Sequence, residues 1–252
     1  MKLNFKDNNI NIYSDSSYDN ISSYSLNRRC GAYKMDEPQT IEWLSMFNDN
    51  CVFYDIGSNI GGYSFIANMI NKNIKIFSFE PNFMNFYTQV KTCKENNISN
   101  IIPINIAIND DNKFNYFKYN IAGNGGDGTF GDILRNQMAK SDYHNPFSNG
   151  TSSSLEVGIL GVNLDTLVYG FGLDIPDYIK IDVDGNELLV LQGAKKLLTE
   201  NKVKEIFVEI DDKIYTNNEI ENFMKKYPYK INKNINVGTK QKPMRMVLYV
   251  RD

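Results

Sequence analysis

The sequence predicts an α/β protein: a doubly wound, mostly parallel seven-stranded sheet that closes on an antiparallel C-terminal hairpin strand. Three observations predict it. Short apolar runs alternate with helical patterns from residue 51 onward. The early runs are continuously apolar, as strands buried on both faces of a parallel sheet are. The chain ends on two consecutive strands with no helix between them, which reverses the direction of the last one.

Residues 1–50 begin polar and hold one helix signal. Asp36-Glu37-Pro38 places a cap candidate and early acids before Ile41, Trp43, Leu44, Met46 and Phe47. Cys51–Ile56 is the first core strand. Gly61–Asn71 reads as a helix, Ile74–Phe79 as the second strand and Phe83–Asn96 as the next helix. Ile101–Ile108 is the third strand. The rhythm then breaks. Phe114–Tyr119 suits a short strand, and Ala122–Asp132 holds five glycines, from which no core is expected, so it reads as a mobile loop. Residues 133–154 are polar, with a short helix expected near Ile133–Lys140 and the single histidine, His144. A run this long with little structure of its own is usually functional or disordered.

Leu155–Leu164 restores strand character, and Leu164-Asp165-Thr166-Leu167 begins another helix. Tyr178–Val183 is a strand, and Asn186–Leu198 a helix with Leu188, Leu191, Ala194 and Leu198 on one side. Glu205–Ile210 is a strand and Thr216–Lys226 a helix. Tyr227–Ile231 and Met244–Val250 close the chain as strands joined by a Lys/Asn-rich hairpin. With no linker or internal repeat, residues 1–252 are expected to form one domain. Residues 1–50 are its N-terminal extension and 120–154 an insert over the substrate.

Composition narrows the partners. The 252 residues are 42% hydrophobic and 23% charged, with a net charge of -3, so no basic excess is available for a phosphate backbone and nucleic acid is not expected. Cys30, Cys51 and Cys93 lack any zinc-ligand spacing and read as free thiols of a reducing compartment. No signal-peptide pattern and no apolar run of ~20 residues is present, so a cytoplasmic protein with no membrane partner is expected.

The stretch VFYDIGSNIGGYS, Val52–Ser64, carries the chemistry. It has the place of a dinucleotide-binding turn, but Asn59 stands where the second glycine of G-x-G-x-x-G lets the backbone approach a pyrophosphate. No P-loop is present. Glu80, ending the second strand, is placed to accept both hydroxyls of a ribose, and Asp55 adds a negative charge beside the loop. A phosphate-free nucleoside with a cationic amino-acid tail meets these demands: S-adenosyl-L-methionine, whose carboxylate suits the following helix N-terminus. A purely structural strand-to-helix turn and a divergent dinucleotide enzyme are the alternatives.

Three segments then resemble one family. Asp55-Ile-Gly57-Ser-Asn59-Ile-Gly61-Gly-Tyr63-Ser64 is similar to a D-x-G-x-N-x-G-x-Y-S loop. Phe79-Glu80-Pro81-Asn82 with Asn85-Phe86 matches F-E-P-x-x-x-N-F. Lys180-Ile-Asp182-Val-Asp184-Gly185-Asn-Glu187 with Leu191, Gly193 and Ala194 matches K-I-D-V-E-G-x-E-x-x-V-L-x-G-A, with Asp184 where Glu is commoner. The chain thus resembles the FkbM family of class I S-adenosylmethionine-dependent methyltransferases, with a Rossmann-like fold.

The resemblance implies methyl transfer to a hydroxyl of a sugar or a natural product. Cofactor contacts are expected at Asp55, Gly57, Asn59, Gly61, Tyr63, Ser64, Glu80, Pro81, Asn82, Asn105, Ala107 and Asp182. The acceptor hydroxyl must lose its proton. His144 is one candidate base. The other device is Mg2+ held by Asp182 and Glu209, with Asp184 or Asp211 as third ligand, as in some relatives of this class. Without metal, Asp182 and Glu209 would meet cofactor and substrate directly. Lys180 and Glu187 read as structural, through a salt bridge and a helix first-turn acid.

Polar residues of the insert (Asn120, Asn124, Asp127, Tyr143, Asn145, Asn149) suit a polyol. A nucleotide-activated sugar for capsule or other surface polysaccharide is the expected small-molecule partner, with Arg28, Arg29, Arg135 and Lys140 as candidates for its diphosphate. A secondary metabolite or other small acceptor, and a non-catalytic cofactor-binding module, are the alternatives.

Overall fold

A computed structural model describes residues 2–14, 37–119, 128–131, 156–239 and 243–252. The chain opens with a hairpin, β1 (Lys2–Phe5) and β2 (Asn8–Asn11), followed by helix α1 (Pro38–Leu44). β3 (Val52–Ile56), α2 (Gly62–Ile70), β4 (Lys75–Phe79), α3 (Phe83–Glu95) and β5 (Ile101–Ile104) follow in strict alternation. Then come four strands of a second sheet: β6 (Ala107–Ile108), β7 (Lys113–Tyr119), β8 (Gly128–Phe130) and β9 (Glu156–Val162). After a π-helical turn at Thr166–Gly170, alternation resumes with β10 (Tyr178–Ile181), α4 (Glu187–Gln192), α5 (Lys195–Thr199), β11 (Glu205–Asp211) and α6 (Glu219–Met224). β12 (Tyr229–Asn236) and β13 (Met244–Arg251) close the chain.

The main sheet has seven strands in the order β12-β13-β11-β10-β3-β4-β5. Six strands share one direction, and β13 runs antiparallel to its neighbours β11 and β12. The order reverses at β3, so the C-terminal ends of β3, β4 and β10 flank one crevice. Open α/β sheets bind ligands in that position.

Both faces of the sheet are buried, which is why its strands read as continuous apolar runs. Side chains alternate between faces. Tyr54, Ile56, Phe77, Phe79, Ile179 and Ile181 pack with Leu191, Leu197 and Met224 on one side. Phe53, Ile76, Tyr178 and Phe207 pack with Trp43 and Phe65 on the other. Phe47 stacks on Tyr178 at 4.0 Å, and Trp43 donates its Nε1–H to Glu205 Oε2 at 2.6 Å.

Four expectations change. The polar-looking N-terminus contains the β1–β2 hairpin, whose Leu3, Phe5 and Ile10, with the following Ile12, are buried in the second face. Ile101–Ile108 is two strands, because Asn105 Nδ2 donates to the carbonyls of Glu80 and Pro81 and the chain leaves the main sheet there. The Asn186–Leu198 helix is broken at Gly193, where a Cβ would sit 2.2 Å from the Asn109 carbonyl oxygen. The glycine-rich stretch does contribute core: Gly128–Phe130 pairs with β7, and the Phe130 ring is buried over Gly161. The helix expected at Ile133–Lys140 lies outside the described residues. Cys51 and Cys93 are buried free thiols, and Cys30 lies outside the described residues. Among the described residues no helix is long and apolar enough to cross a membrane.

Candidate active site

The loop after β3 is built by positive φ angles. Gly57 (φ 78°), Asn59 (φ 52°) and Gly61 (φ 82°) all lie in the left-handed region. Gly57 is there of necessity: a Cβ would stand 1.8 Å from the Asp182 carbonyl oxygen. Asn59 occupies its left-handed place as asparagine readily does, with its Oδ1 accepting the Ile60 amide at 2.9 Å.

Glu80 ties this loop to the end of β4. Its Oε2 accepts the Asn59 amide at 2.7 Å and its Oε1 the Asn82 amide at 2.8 Å. Gln89, from α3, donates to the Asn59 carbonyl at 2.6 Å and to Ser58 Oγ at 2.9 Å. The two sequence motifs are therefore one hydrogen-bonded unit. Asn82 is buried and caps α3, accepting the Met84 and Asn85 amides.

Beneath the loop is a line of charges set by strand register. Asp55 of β3 lies opposite Lys180 of β10, and Asp182 follows Lys180 on the same face. Lys180 is 1% exposed and donates to Asp182 Oδ2 at 2.8 Å, with its ammonium 4.8 Å from the Tyr63 ring centroid. Burial opposes the ammonium, but the charges of Asp182, Glu37 and Asp55 outweigh it and hold it above the usual lysine range. Asp55 is buried; its Oδ2 accepts Ser64 Oγ at 2.6 Å and its Oδ1 has no partner. Burial raises the Asp55 carboxyl. Glu209 hydrogen-bonds Asp182, and burial, followed by the Asp182 charge, raises it well above the usual range.

A third loop follows β10. Asp184 (φ 55°) and Gly185 (φ 108°) are left-handed. Aspartate is among the few side chains that tolerate such a backbone, which fits the departure from glutamate at this position. Glu187 fastens the turn, its Oε1 accepting the amides of Gly185 at 2.9 Å and Val183 at 3.3 Å. Tyr215 completes it by donating to the Gly185 carbonyl at 3.0 Å. Burial pushes the Glu187 carboxyl up to about 7.

These loops enclose one pocket. Of the residues named from the sequence, Gly57, Asn59, Glu80, Pro81, Ala107 and Asp182 line it. Gly61, Tyr63, Ser64, Asn82, Asn105, Asp55 and Glu209 are not among its lining residues. His144 lies outside the described residues, with Arg28, Arg29, Arg135, Lys140 and the polar residues named at 120–149. Sequence reasoning missed Phe117, Phe130 and Asn186, which also line it. Phe117 had a signal in the period-two pattern of β7. Phe130 was hidden among glycines.

The carboxylates here do not fit magnesium. Asp182 is bonded to the Lys180 ammonium, Glu209 is bonded to Asp182, and Asp211 Oδ1 accepts the Lys213 amide at 2.8 Å. Among the described residues no group of three His, Cys, Asp or Glu is placed to hold a metal.

Known proteins are similar in sequence and shape. The family profile described as methyltransferase FkbM domain matches residues 55–231. A hexuronic acid methyltransferase, AglP of Haloferax volcanii, is 25% identical over 167 residues; the match takes in 66% of this chain and 59% of that protein, so the chain spans under two thirds of the relative. Magnesium protoporphyrin IX methyltransferase from Synechocystis PCC 6803, solved with bound S-adenosylmethionine, superposes with a TM-score of 0.52 at 9% identity over 95% of this chain and 88% of its own. An rRNA methylase from Streptococcus thermophilus gives 0.50 at 8% identity, over 87% and 98%. At such identities the solved structures share the fold.

Proposed function

Because the chain belongs to the FkbM-domain family of methyltransferases, we propose that it transfers a methyl group from S-adenosyl-L-methionine to a hydroxyl of a sugar. The observation that carries this is the Gly57–Gly61 loop clamped to Glu80 at the switch point of the sheet, with Gly57, Asn59, Glu80 and Asp182 lining one pocket. When bound, the cofactor supplies an activated methyl on a cationic sulfur. Glu80 would accept the ribose hydroxyls. No side chain caps α2 and no acid stands in its first turn, so its leading amides suit the methionine carboxylate.

Asp182 would take the proton from the acceptor oxygen, with its Oδ2 held by Lys180. Expulsion of water by the apolar residues Phe117 and Phe130 would strengthen these interactions. The sugar reading draws on the relative that methylates hexuronic acid and on the acceptor-rich pocket. A nucleotide-activated sugar is the form we favour. We also read residues 1–252 as a single domain, with 1–50 as extension and 120–154 as substrate insert.

The test has two parts. Calorimetry should show S-adenosylhomocysteine binding that Glu80→Ala abolishes; unchanged affinity would sink the cofactor assignment. A screen of nucleotide-sugars with S-adenosylmethionine, read as the mass gain of one methyl, should return a product; methylation confined to non-sugar acceptors would replace the sugar reading.

A further inference from the structure

A chain of buried hydrogen bonds runs from Asp55 to the loop that lines the pocket. Asp55 (β3), Ser64 (α2), Ser78 (β4) and Gln89 (α3) are each at most 1% exposed. Asp55 Oδ2 and Ser64 Oγ are 2.6 Å apart, Ser64 Oγ and Ser78 Oγ 3.1 Å, and Ser78 Oγ and Gln89 Oε1 2.7 Å. Gln89 Nε2 then lies 2.6 Å from the carbonyl oxygen of Asn59, a residue of the pocket lining.

Each hydroxyl has one proton to give, so the direction of the chain can be counted. The Asn59 carbonyl only accepts, so the nitrogen of the Gln89 amide faces it and the amide oxygen faces Ser78. That oxygen also only accepts, so Ser78 gives its proton there. The contact between the two serines therefore takes its proton from Ser64. Taken alone, the 2.6 Å contact at Asp55 reads as Ser64 donating to a carboxylate, but Ser64 has no second proton. The remaining donor is Asp55 itself, as a carboxylic acid.

A second observation agrees. Asp55 Oδ1 is buried and has no hydrogen-bond partner. An ionised carboxylate with one bare oxygen is costlier to bury than a neutral acid with a bare carbonyl. The charges that bear on Asp55 are the Lys180 ammonium on the facing strand and Asp182 beyond it. Burial outweighs the pull of Lys180, whose ammonium donates to Asp182, and raises the Asp55 carboxyl.

We propose that Asp55 is held as a neutral acid at the head of a one-way chain of hydrogen bonds, and that this chain makes Gln89 the positioning residue for the Asn59 carbonyl at the cofactor pocket. Asp55 then serves the site through loop geometry, and not as the negative charge that its place in the motif suggests. The effect on the cofactor rests on the methyl-transfer reading; the protonation of Asp55 does not.

Infrared difference spectroscopy on the full chain tests the protonation. Wild type minus Asp55→Asn at neutral pH should show the carbonyl band of one protonated carboxyl. The raised acids Glu187 and Glu209 are common to both proteins and cancel. Absence of the band overturns the proposal. Calorimetry with S-adenosylhomocysteine tests the positioning role. Asp55→Asn supplies an N–H in place of the acid proton and should bind within about threefold of wild type. Gln89→Leu should bind roughly tenfold more weakly. An Asp55→Asn chain that loses more than about threefold, or fails to fold, shows that the ionised form is required and overturns the proposal. Gln89→Leu at wild-type affinity overturns it too. Ser78→Ala, expected to weaken binding in the same direction, replaces that variant should the leucine prevent folding. Wild-type protein that fails to bind S-adenosylhomocysteine would reject the methyl-transfer reading instead, while the infrared band still decides the protonation of Asp55.

Discussion

Lys180 donates to Asp182 from two positions earlier on the same strand, so a buried cation and a pocket-edge anion share one face of the sheet at 2.8 Å. Asp55 faces Lys180 from β3, and Glu209 faces Asp182 from β11. Lys180→Met should leave the Asp182 charge uncompensated and cost about 3 kcal/mol or more in urea unfolding. Adding Asp182→Asn to Lys180→Met should recover part of the loss. An additive double variant would mean that the pair is not coupled.

Gly57 and the Asp182 carbonyl fix how closely β3 and β10 approach at their ends. Gly57→Ala should cost on the order of 1–3 kcal/mol for its left-handed backbone alone, and the clash at 1.8 Å adds to it. A thermal melt within a degree of wild type would refute this contact.

Glu80 holds the glycine loop with one oxygen and the cap of α3 with the other. Glu80→Gln keeps one acceptor and replaces the other by a donor that faces an amide. S-adenosylhomocysteine affinity is expected to fall roughly tenfold or more, with a smaller effect on stability. Equal affinity in calorimetry would show that the loop is held by Gln89 instead.

Glu187 imposes a pH dependence on the fold. Its carboxyl titrates near 4.5 when solvated, and burial raises it to about 7 in the folded chain. Between those values the folded state binds more protons than the unfolded one, so this group lowers stability as pH rises from about 4.5 to 7. The raised carboxyls of Glu209 and Asp55 act in the same direction. Glu187→Gln keeps the acceptor for Gly185 and Val183, and should flatten the decline in unfolding midpoint across that window. An unchanged slope would mean that Glu187 ionises normally.

Leu3 is 1% exposed although it lies at the start of a polar stretch. Leu3→Ala should destabilise the whole chain by about 2–5 kcal/mol. Loss of only a small, separate transition would show that the hairpin is an accessory and not part of the main core.

The glycine loop, Glu80 and the β10 turn were readable because each depends on local backbone demands: glycines at left-handed positions, and an acid at a strand end. The helix breaks were less readable. Gly193 sits within a good helical pattern, and only its contact with the Asn109 carbonyl, just after β6, explains the interruption. The β1–β2 hairpin was legible in principle, since Leu3/Phe5 and Ile10/Ile12 alternate. Polar neighbours masked the period.

The order of motifs by itself determined the family and the α/β alternation, because continuous apolar strands and amphipathic helices have few ways to stack. It also singled out Asn59, although for its conflict with a phosphate and not for its left-handed backbone. Tertiary structure alone decided that Asp55 is buried, that Lys180 occupies Asp182, and that Phe117, Phe130 and Asn186 line the same pocket as Gly57, Asn59 and Glu80. Those outcomes depend on strand register and on a second sheet folding back over the first. They bring together residues far apart in the chain, Asn59 and Asn186 among them, and no local pattern encodes that distance.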